Sequence, residues 1–252
     1  MKKRFLSILT ALCLCLTLLP TAVLAEDGRL AEPDEALAAS NGTNVAYLTL
    51  TGNLAIKSMH KTLEDAISAA MTLADSENAN VDIIIDETVK TLSVSNAPPI
   101  CSAHKITLDL QGCAVSGTIS VGSTDGSKTG TLEIKDNQTF GGRGSIENVT
   151  VHTHSSLTLN GTVQTGIGTL SHDTDASITL LSGNISAVNS TPVDYAAYPG
   201  KERAYYAYSG GAKGNILTIA EVEARLQNDK AVAVAPCEHS KGTLFGRDFT
   251  CA

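Results

Sequence analysis

The sequence predicts a mainly β fold: a parallel β-helix (solenoid) with an N-terminal capping helix and a small α+β segment at the C-terminal end. Two observations support this prediction. The first is composition: Ser and Thr make up about a fifth of the 252 residues, aromatic residues make up 4%, and Trp is absent. Because Ser, Thr and Gly are poor helix formers, this composition favours short strands and turns over a helical bundle. The second observation is a repeat.

Short runs that alternate apolar and polar residues recur through the middle of the chain. Their last apolar residues lie 25, 24, 25 and 21 positions apart, at Ile85, Leu110, Ile134, Leu159 and Leu180. Asn, Asp, Gln or Gly follows most of these runs, and such residues suit bends. Strands that recur at this spacing without intervening helices are typical of a solenoid, whereas a β-sandwich needs no fixed long period. We therefore expect stacked coils with Ile, Leu and Val pointing inward.

The chain before the repeats is predicted to form a tail, a short hairpin and a helix. Residues 26–44 are polar and contain turn formers, so we expect an exposed tail. Thr62 as N-cap, with Asp65 three residues later, forms a capping box. Apolar residues then recur at helical spacing, which predicts a helix over 62–74. This helix is expected to cover the open end of a β-helix that spans 45–190.

Three sequence strings resemble a known family: TLEDAI at 62–67, ITLDLQG at 106–112 and AVSG at 114–117. They are similar to the opening of pectin-lyase-like right-handed parallel β-helices, and more narrowly to those in exported surface proteins of gut Firmicutes. The resemblance covers residues 45–190 and implies a right-handed solenoid. It implies no single function, because such β-helices serve as lyases, hydrolases, adhesins and passive stalks.

Residues 1–25 have the pattern of a signal peptide. A basic stretch precedes an apolar run over 5–19, and small residues at 23 and 25 suit cleavage. The alternative, an uncleaved anchor, is disfavoured because a membrane span needs roughly 20 apolar residues. Cleavage would change the net charge from −8 to −11 and leave no segment apolar enough to span a bilayer. We therefore expect a secreted or cell-surface bacterial protein, and the acidic charge excludes a general nucleic-acid binder.

The resemblance also implies catalytic patterns that can be sought in the sequence. Related hydrolases use clustered Asp with Gly-His-Gly and Arg-x-Lys elements, and related lyases use a calcium-binding acidic cluster with a base. None of these elements is found in the repeats, which leaves Asp109 and Arg143 as weak catalytic candidates. Asp109, Glu133, Asp136 and Glu147 are expected to lie along one outward face. A solvated face is the favoured interpretation of these carboxylates.

Two short patterns could hold a metal ion. His152 and His154 follow a predicted strand, so both imidazoles are expected on one face, where a third ligand from the next coil could complete a site. Asp173 and Asp175 could contact calcium in a loop. The favoured interpretation of both patterns is an ordinary polar surface.

The segment 191–252 breaks the repeat and is rich in tyrosine. Its tyrosines are Tyr195, Tyr198, Tyr205, Tyr206 and Tyr208. They could stack on sugar rings, or pack this segment onto the last coil with their hydroxyls in water, and packing is favoured. Thr218 and Glu221 form a second capping box for a helix to about Gln227, and a short strand is expected after it.

The cysteines allow several interpretations. Cys237, His239 and Cys251 follow the order of a small zinc site, but a closed site needs four ligands. A further cysteine beyond residue 252 would complete it, on the hypothesis that the chain is truncated. Cys237 could instead form a disulfide with Cys251, or both thiols could stay unpaired. Cys101 and Cys113 are expected near consecutive coils, where they could pair or stay as small buried hydrophobes.

These observations favour a non-enzymatic function. We expect an exported module with a binding, adhesive or display role, with a polysaccharide or a host surface as partner. The alternative is a polysaccharide lyase or glycoside hydrolase acting on uronate-rich polymers. Zinc at the C-terminal tail and calcium in the loop are the only cofactors suggested. The chain is expected to be a monomer, or its oligomeric state is left open.

Overall fold

The computed structural model describes residues 43–138 and 143–237. The predictions for residues 1–25, and for most of the tail 26–44, lie outside these ranges. The described strands are β1 (Ala46–Leu50), β2 (Ile56–His60), β3 (Val81–Ile85), β4 (Thr91–Val94), β5 (Lys105–Asp109), β6 (Ala114–Val121), β7 (Thr131–Lys135), β8 (Ser145–Val151), β9 (Ser156–Asn160), β10 (Gly166–His172), β11 (Ser177–Asn189), β12 (Arg203–Ser209), β13 (Ala212–Ile216) and β14 (Val232–Pro236). The described helices are α1 (Leu63–Glu77) and α2 (Ile219–Leu226).

The strands stack into a mainly β solenoid of about four turns, which confirms the predicted fold class. β3, β5, β7, β9 and the first half of β11 pair in parallel, and we call them the first ladder. β4, β6, β8, β10 and the second half of β11 also pair in parallel, and we call them the second ladder. Each turn of the chain therefore adds one strand to each ladder, and their inward side chains form a shared core.

The strands of the second ladder bend. In β8, two residues separate the buried Ile146 from the buried Val149, where a straight strand would have one. β10 repeats this spacing between Ile167 and Leu170. The coils that contain β8 and β10 therefore have three straight segments around a narrow interior. Ile, Leu and Val fill that interior, and this accounts for the low aromatic content.

The observed pairing corrects one predicted alignment in the first ladder. The repeat aligned Leu110 with Ile134, but Leu108 is the residue that pairs with Ile134, 26 positions along the chain. A slip of two residues keeps the same side chains facing inward, since the side-chain period of a strand is two. Leu110 is buried all the same, just after β5 ends.

The helix α1 and an antiparallel hairpin cover the N-terminal end. The side-chain oxygen of Thr62 accepts a hydrogen bond from the Asp65 backbone N–H at 3.1 Å, which confirms Thr62 as N-cap. The reciprocal bond from the Thr62 N–H to the Asp65 side chain, which would complete the predicted capping box, is not formed among the described residues. The apolar face of α1 is buried against the first coil through Ala66, Ile67 and Ala70. The hairpin of β1 and β2 adds to the edge of β3, with β1 antiparallel to it. Together these elements cover the end of the core.

A small antiparallel unit covers the other end. β14 pairs with the second half of β11, and β12 and β13 extend the sheet beyond it. α2 begins at Thr218, where the complete capping box with Glu221 is formed as predicted. Val222 and Leu226 of α2 are buried. The C-terminal segment is therefore α+β, in agreement with the sequence prediction.

Candidate functional site

The carboxylate of Asp109, a weak catalytic candidate, is buried and hydrogen-bonded to residues of the fold. Its side chain is 5% exposed. Its two oxygens accept hydrogen bonds from the backbone and side chain of Asn137, at 3.0 and 2.7 Å. The backbone and side chain of Gln111 donate two more, at 3.4 and 2.9 Å. The carboxylate therefore fastens the turn after β5 to the next coil.

Glu133 lies on the same outward face and is enclosed by partners. It forms ion pairs with Lys105 and Lys135 and accepts a hydrogen bond from Asn160 Nδ2 at 2.8 Å. Burial alone would raise the pKa of Glu133, but the hydrogen bonds and the two lysines outweigh it and lower that pKa. We call this outward surface of the first ladder the closed face. Thr107 Oγ1 is an exception on it, being buried without a hydrogen-bond partner among the described residues.

The prediction that four carboxylates share one outward face is wrong. Asp136 lies at a corner, where its oxygens accept hydrogen bonds from the backbone N–H groups of Gly112 and Gly144, at 2.9 and 2.7 Å. Glu147 lies on the second ladder. Arg143, the other weak catalytic candidate, is exposed just before β8. Burial raises the pKa of Tyr208, and the charge of Arg143 offsets only part of that rise.

The prediction that His152 and His154 lie on one strand face is also wrong. β8 ends at Val151, and His154 has a left-handed φ of 60°, so the two imidazoles do not share a strand face. His152 Nδ1 instead lies 3.4 Å from Asp173 Oδ2. Asp173 also accepts hydrogen bonds from the Thr153 backbone and hydroxyl, at 2.9 and 3.2 Å. Within 43–138 and 143–237, no three His, Cys, Asp or Glu side chains converge on one point as metal ligands would.

Three of the five tyrosines proposed for glycan stacking are buried. Tyr198, Tyr205 and Tyr206 are 2–4% exposed, so their rings cannot receive a sugar, and the packing interpretation applies to them. Their hydroxyls are not in water as expected. Tyr205 donates to the backbone O of Tyr195 and Tyr206 to that of Pro236, both at 2.9 Å. Tyr195 and Tyr208 are partly exposed.

The structure shows whether Cys101, Cys113 and Cys237 are free or disulfide-bonded. Cys101 and Cys113 are free thiols, so the pairing between them is not formed. Cys113 is buried, and this raises its thiol pKa to about 11, as expected of a small buried hydrophobe. Cys237 is disulfide-bonded. A cysteine in a disulfide has no thiolate to bind zinc, so Cys237 is neither a zinc ligand nor an unpaired thiol in this structure. Its sulfur partner, His239 and Cys251 lie outside the described residues, so the pairing with Cys251 stays a prediction.

A groove of about 480 Å³ runs across the outward side of the second ladder. One row of outward residues forms its floor, one from each successive strand: Thr91, Ala114, Ser145, Gly166 and Asn184. At strand spacings of about 4.8 Å, this row is about 19 Å long. Four of its five side chains are no larger than threonine, so the groove is open and shallow.

A second row lies beside the first and supplies the wall. It contains Ser116, Glu147, Gly168 and Ser186. Gly168 is required, because a Cβ there would lie only 2.5 Å from the carbonyl oxygen of Glu147. At both Gly166 and Gly168 the space of a Cβ is taken, by Asn184 Oδ1 and by the Glu147 carbonyl oxygen respectively. The sequence prediction did not include this groove.

Two polar side chains in the groove have an acceptor oxygen free. Asn184 is 7% exposed and donates through Nδ2 to the carbonyl oxygens of Val163 and Thr165, at 3.0 and 3.1 Å. These bonds direct Oδ1 over Gly166, whose added Cβ would lie 2.9 Å from it. Glu147 Oε2 accepts from the Gly117 N–H at 2.8 Å. Neither Asn184 Oδ1 nor Glu147 Oε1 accepts a hydrogen bond from any described residue.

Comparisons with protein-family models, with curated proteins and with solved structures find no match to this chain. Across the described ranges, neither helix combines the length and the apolar character needed to cross a bilayer.

Proposed function

We propose that this chain is an exported β-solenoid module that binds an extended glycan in the groove of the second ladder. The groove itself carries this proposal. It is open at the surface and runs across five strands. Small residues, four apolar residues (Leu92, Val115, Ile146 and Ile167) and two side chains with a free acceptor oxygen line it. The strand spacing of about 4.8 Å is similar to the rise of one sugar in an extended β-1,4-linked polysaccharide, so successive sugars would meet successive coils.

The sequence supports the cellular context of this proposal. The signal-peptide pattern of residues 1–25 favours secretion or display at the cell surface. The strings at 62–67 and 106–117 favour a pectin-lyase-like β-helix of the kind found in exported surface proteins of gut Firmicutes. Polysaccharides of the diet or of a host surface are the partners that such a protein would meet.

Affinity gel electrophoresis with a soluble β-1,4-glucan tests the proposal. We expect the glucan to slow the migration of the chain. Ser116→Trp should remove that retardation, because Ser116 is exposed beside the groove and an indole there would block it. Thr179→Trp, at an outward position of the first ladder, is the matched control and should migrate as the unaltered chain does.

Two outcomes would contradict the proposal. One is equal retardation of the two Trp variants, which would place binding outside the groove. The other is release of unsaturated products or new reducing ends from pectin, with or without calcium. Such turnover would favour the alternative, a lyase or hydrolase acting on uronate-rich polymers.

A further inference from the structure

We propose that the groove of the second ladder selects a polysaccharide with free amino groups over neutral and uronate polymers. This inference rests on the proposed function and adds the chemical class of its ligand. It follows from the kind of polar groups that the groove presents and from its charge. The two free oxygens, Asn184 Oδ1 and Glu147 Oε1, are the central observations.

Asn184 is a preset hydrogen-bond acceptor. It is only 7% exposed, and both hydrogens of Nδ2 are used by the carbonyls of Val163 and Thr165. The amide therefore cannot turn over to offer a donor without losing two bonds of 3.0 and 3.1 Å. Oδ1 has no hydrogen-bond donor among the described residues and is not a fully buried atom, so a ligand N–H or O–H beside Gly166 can donate to it.

Glu147 supplies a negative charge two strands away from Asn184. Glu147 is on β8 and Asn184 is on β11, with β10 between them, so the two residues are separated by about 10 Å along the solenoid axis. The bond from the Gly117 N–H fixes one carboxylate oxygen, no described residue donates to the other, and Glu147 is an exposed residue. It is the one charged side chain among the described residues that line the groove.

The groove therefore presents acceptors and a negative charge, with no cation among its described lining residues. A uronate polymer would bring carboxylates toward Glu147, and like charges at short range repel. A polymer of amino sugars would instead bring ammonium groups, which donate hydrogen bonds and carry the complementary charge. Neutral sugars can satisfy Asn184 through a hydroxyl, but they gain no ion pair with Glu147.

The test is calorimetric titration of the full chain with three hexasaccharides at low salt: glucosamine, glucose and galacturonate oligomers. We expect affinity in that order, with about a fivefold preference for glucosamine over glucose, the size of one partly exposed ion pair. Glu147→Gln should abolish that preference. Gln can still accept from Gly117, so the groove should keep its shape.

The control variant removes one negative charge outside the groove. Glu77→Gln, on α1 and away from the groove, should leave the preference unchanged. Equal loss in both variants would mean a general attraction of a polycation to an acidic protein and would overturn the inference, as would galacturonate binding as tightly as glucosamine. If all three oligomers bind equally and Ser116→Trp abolishes this binding, only the amino-sugar preference is overturned. If no binding depends on the groove, the proposed function is overturned as well.

Discussion

The two ladders use their outward residues in opposite ways. On the closed face, Glu133 pairs with Lys105 and Lys135, and the oxygens of Asp109 accept four hydrogen bonds. On the second ladder, the outward rows are reduced to small residues, and the polar atoms of Asn184 and Glu147 are only half used. The comparison separates polar groups that stabilise the fold from polar groups that remain available to a ligand.

The largest effect is expected for Asp109→Ala on the closed face. The change removes the buried acceptor that Asn137 and Gln111 share, so the free energy of unfolding should fall by about 3 kcal/mol. Chemical denaturation measures this loss. Asp175→Ala is the matched control: Asp175 is exposed and pairs with no described side chain, so the change should cost under about 0.5 kcal/mol. Equal losses for the two variants would mean that Asp109 is not a structural link.

A smaller effect is expected for Glu133, and it should depend on pH. The pKa of Glu133 is lowered in the folded state, so its ionised form stabilises the fold above the ordinary value of 4.5. That contribution is lost as the pH falls through the lowered pKa. Glu133→Gln should therefore cost about 1–2 kcal/mol at pH 7 and clearly less near about pH 3. A cost that stays constant between the two pH values would contradict the ion-pair account.

The smallest effect on stability is expected in the groove. Glu147 is exposed and its hydrogen bond to Gly117 survives in a glutamine, so Glu147→Gln should change the free energy of unfolding by less than about 0.5 kcal/mol. Thermal and chemical denaturation check this value. A loss comparable to that of Asp109→Ala would show that the groove carboxylate is structural, and the contrast between the two faces would fail.

Much of the fold could be predicted from the alternating runs, because inward residues must be apolar. The sequence could not show that Leu108, and not Leu110, pairs with Ile134, since both leucines are apolar and both are buried. Periodicity determines which face of a strand is inward but does not distinguish alignments that differ by two residues. The histidine pair failed for a different reason: no pattern in the sequence places the end of β8 before His152.

The groove was beyond sequence prediction. Its floor comes from five strands whose spacing is irregular, because Val115, Ile146, Ile167 and Ile185 follow one another at intervals of 31, 21 and 18 positions. No period therefore aligns Ser145 with Gly166. The free oxygen of Asn184 likewise depends on carbonyls about twenty residues away, and an isolated Asn gives no sign of them.

A titration of the ¹⁵N-labelled chain with a glucosamine hexasaccharide, followed by backbone amide chemical shifts, would locate the binding surface. We expect shifts concentrated at the groove rows, at Ser145, Gly166 and Gly168, with little change at Thr158 and Thr179 on the closed face. Shifts at Thr158 and Thr179 with the groove unaffected, or no shifts at saturating oligosaccharide, would rule out glycan binding in the groove.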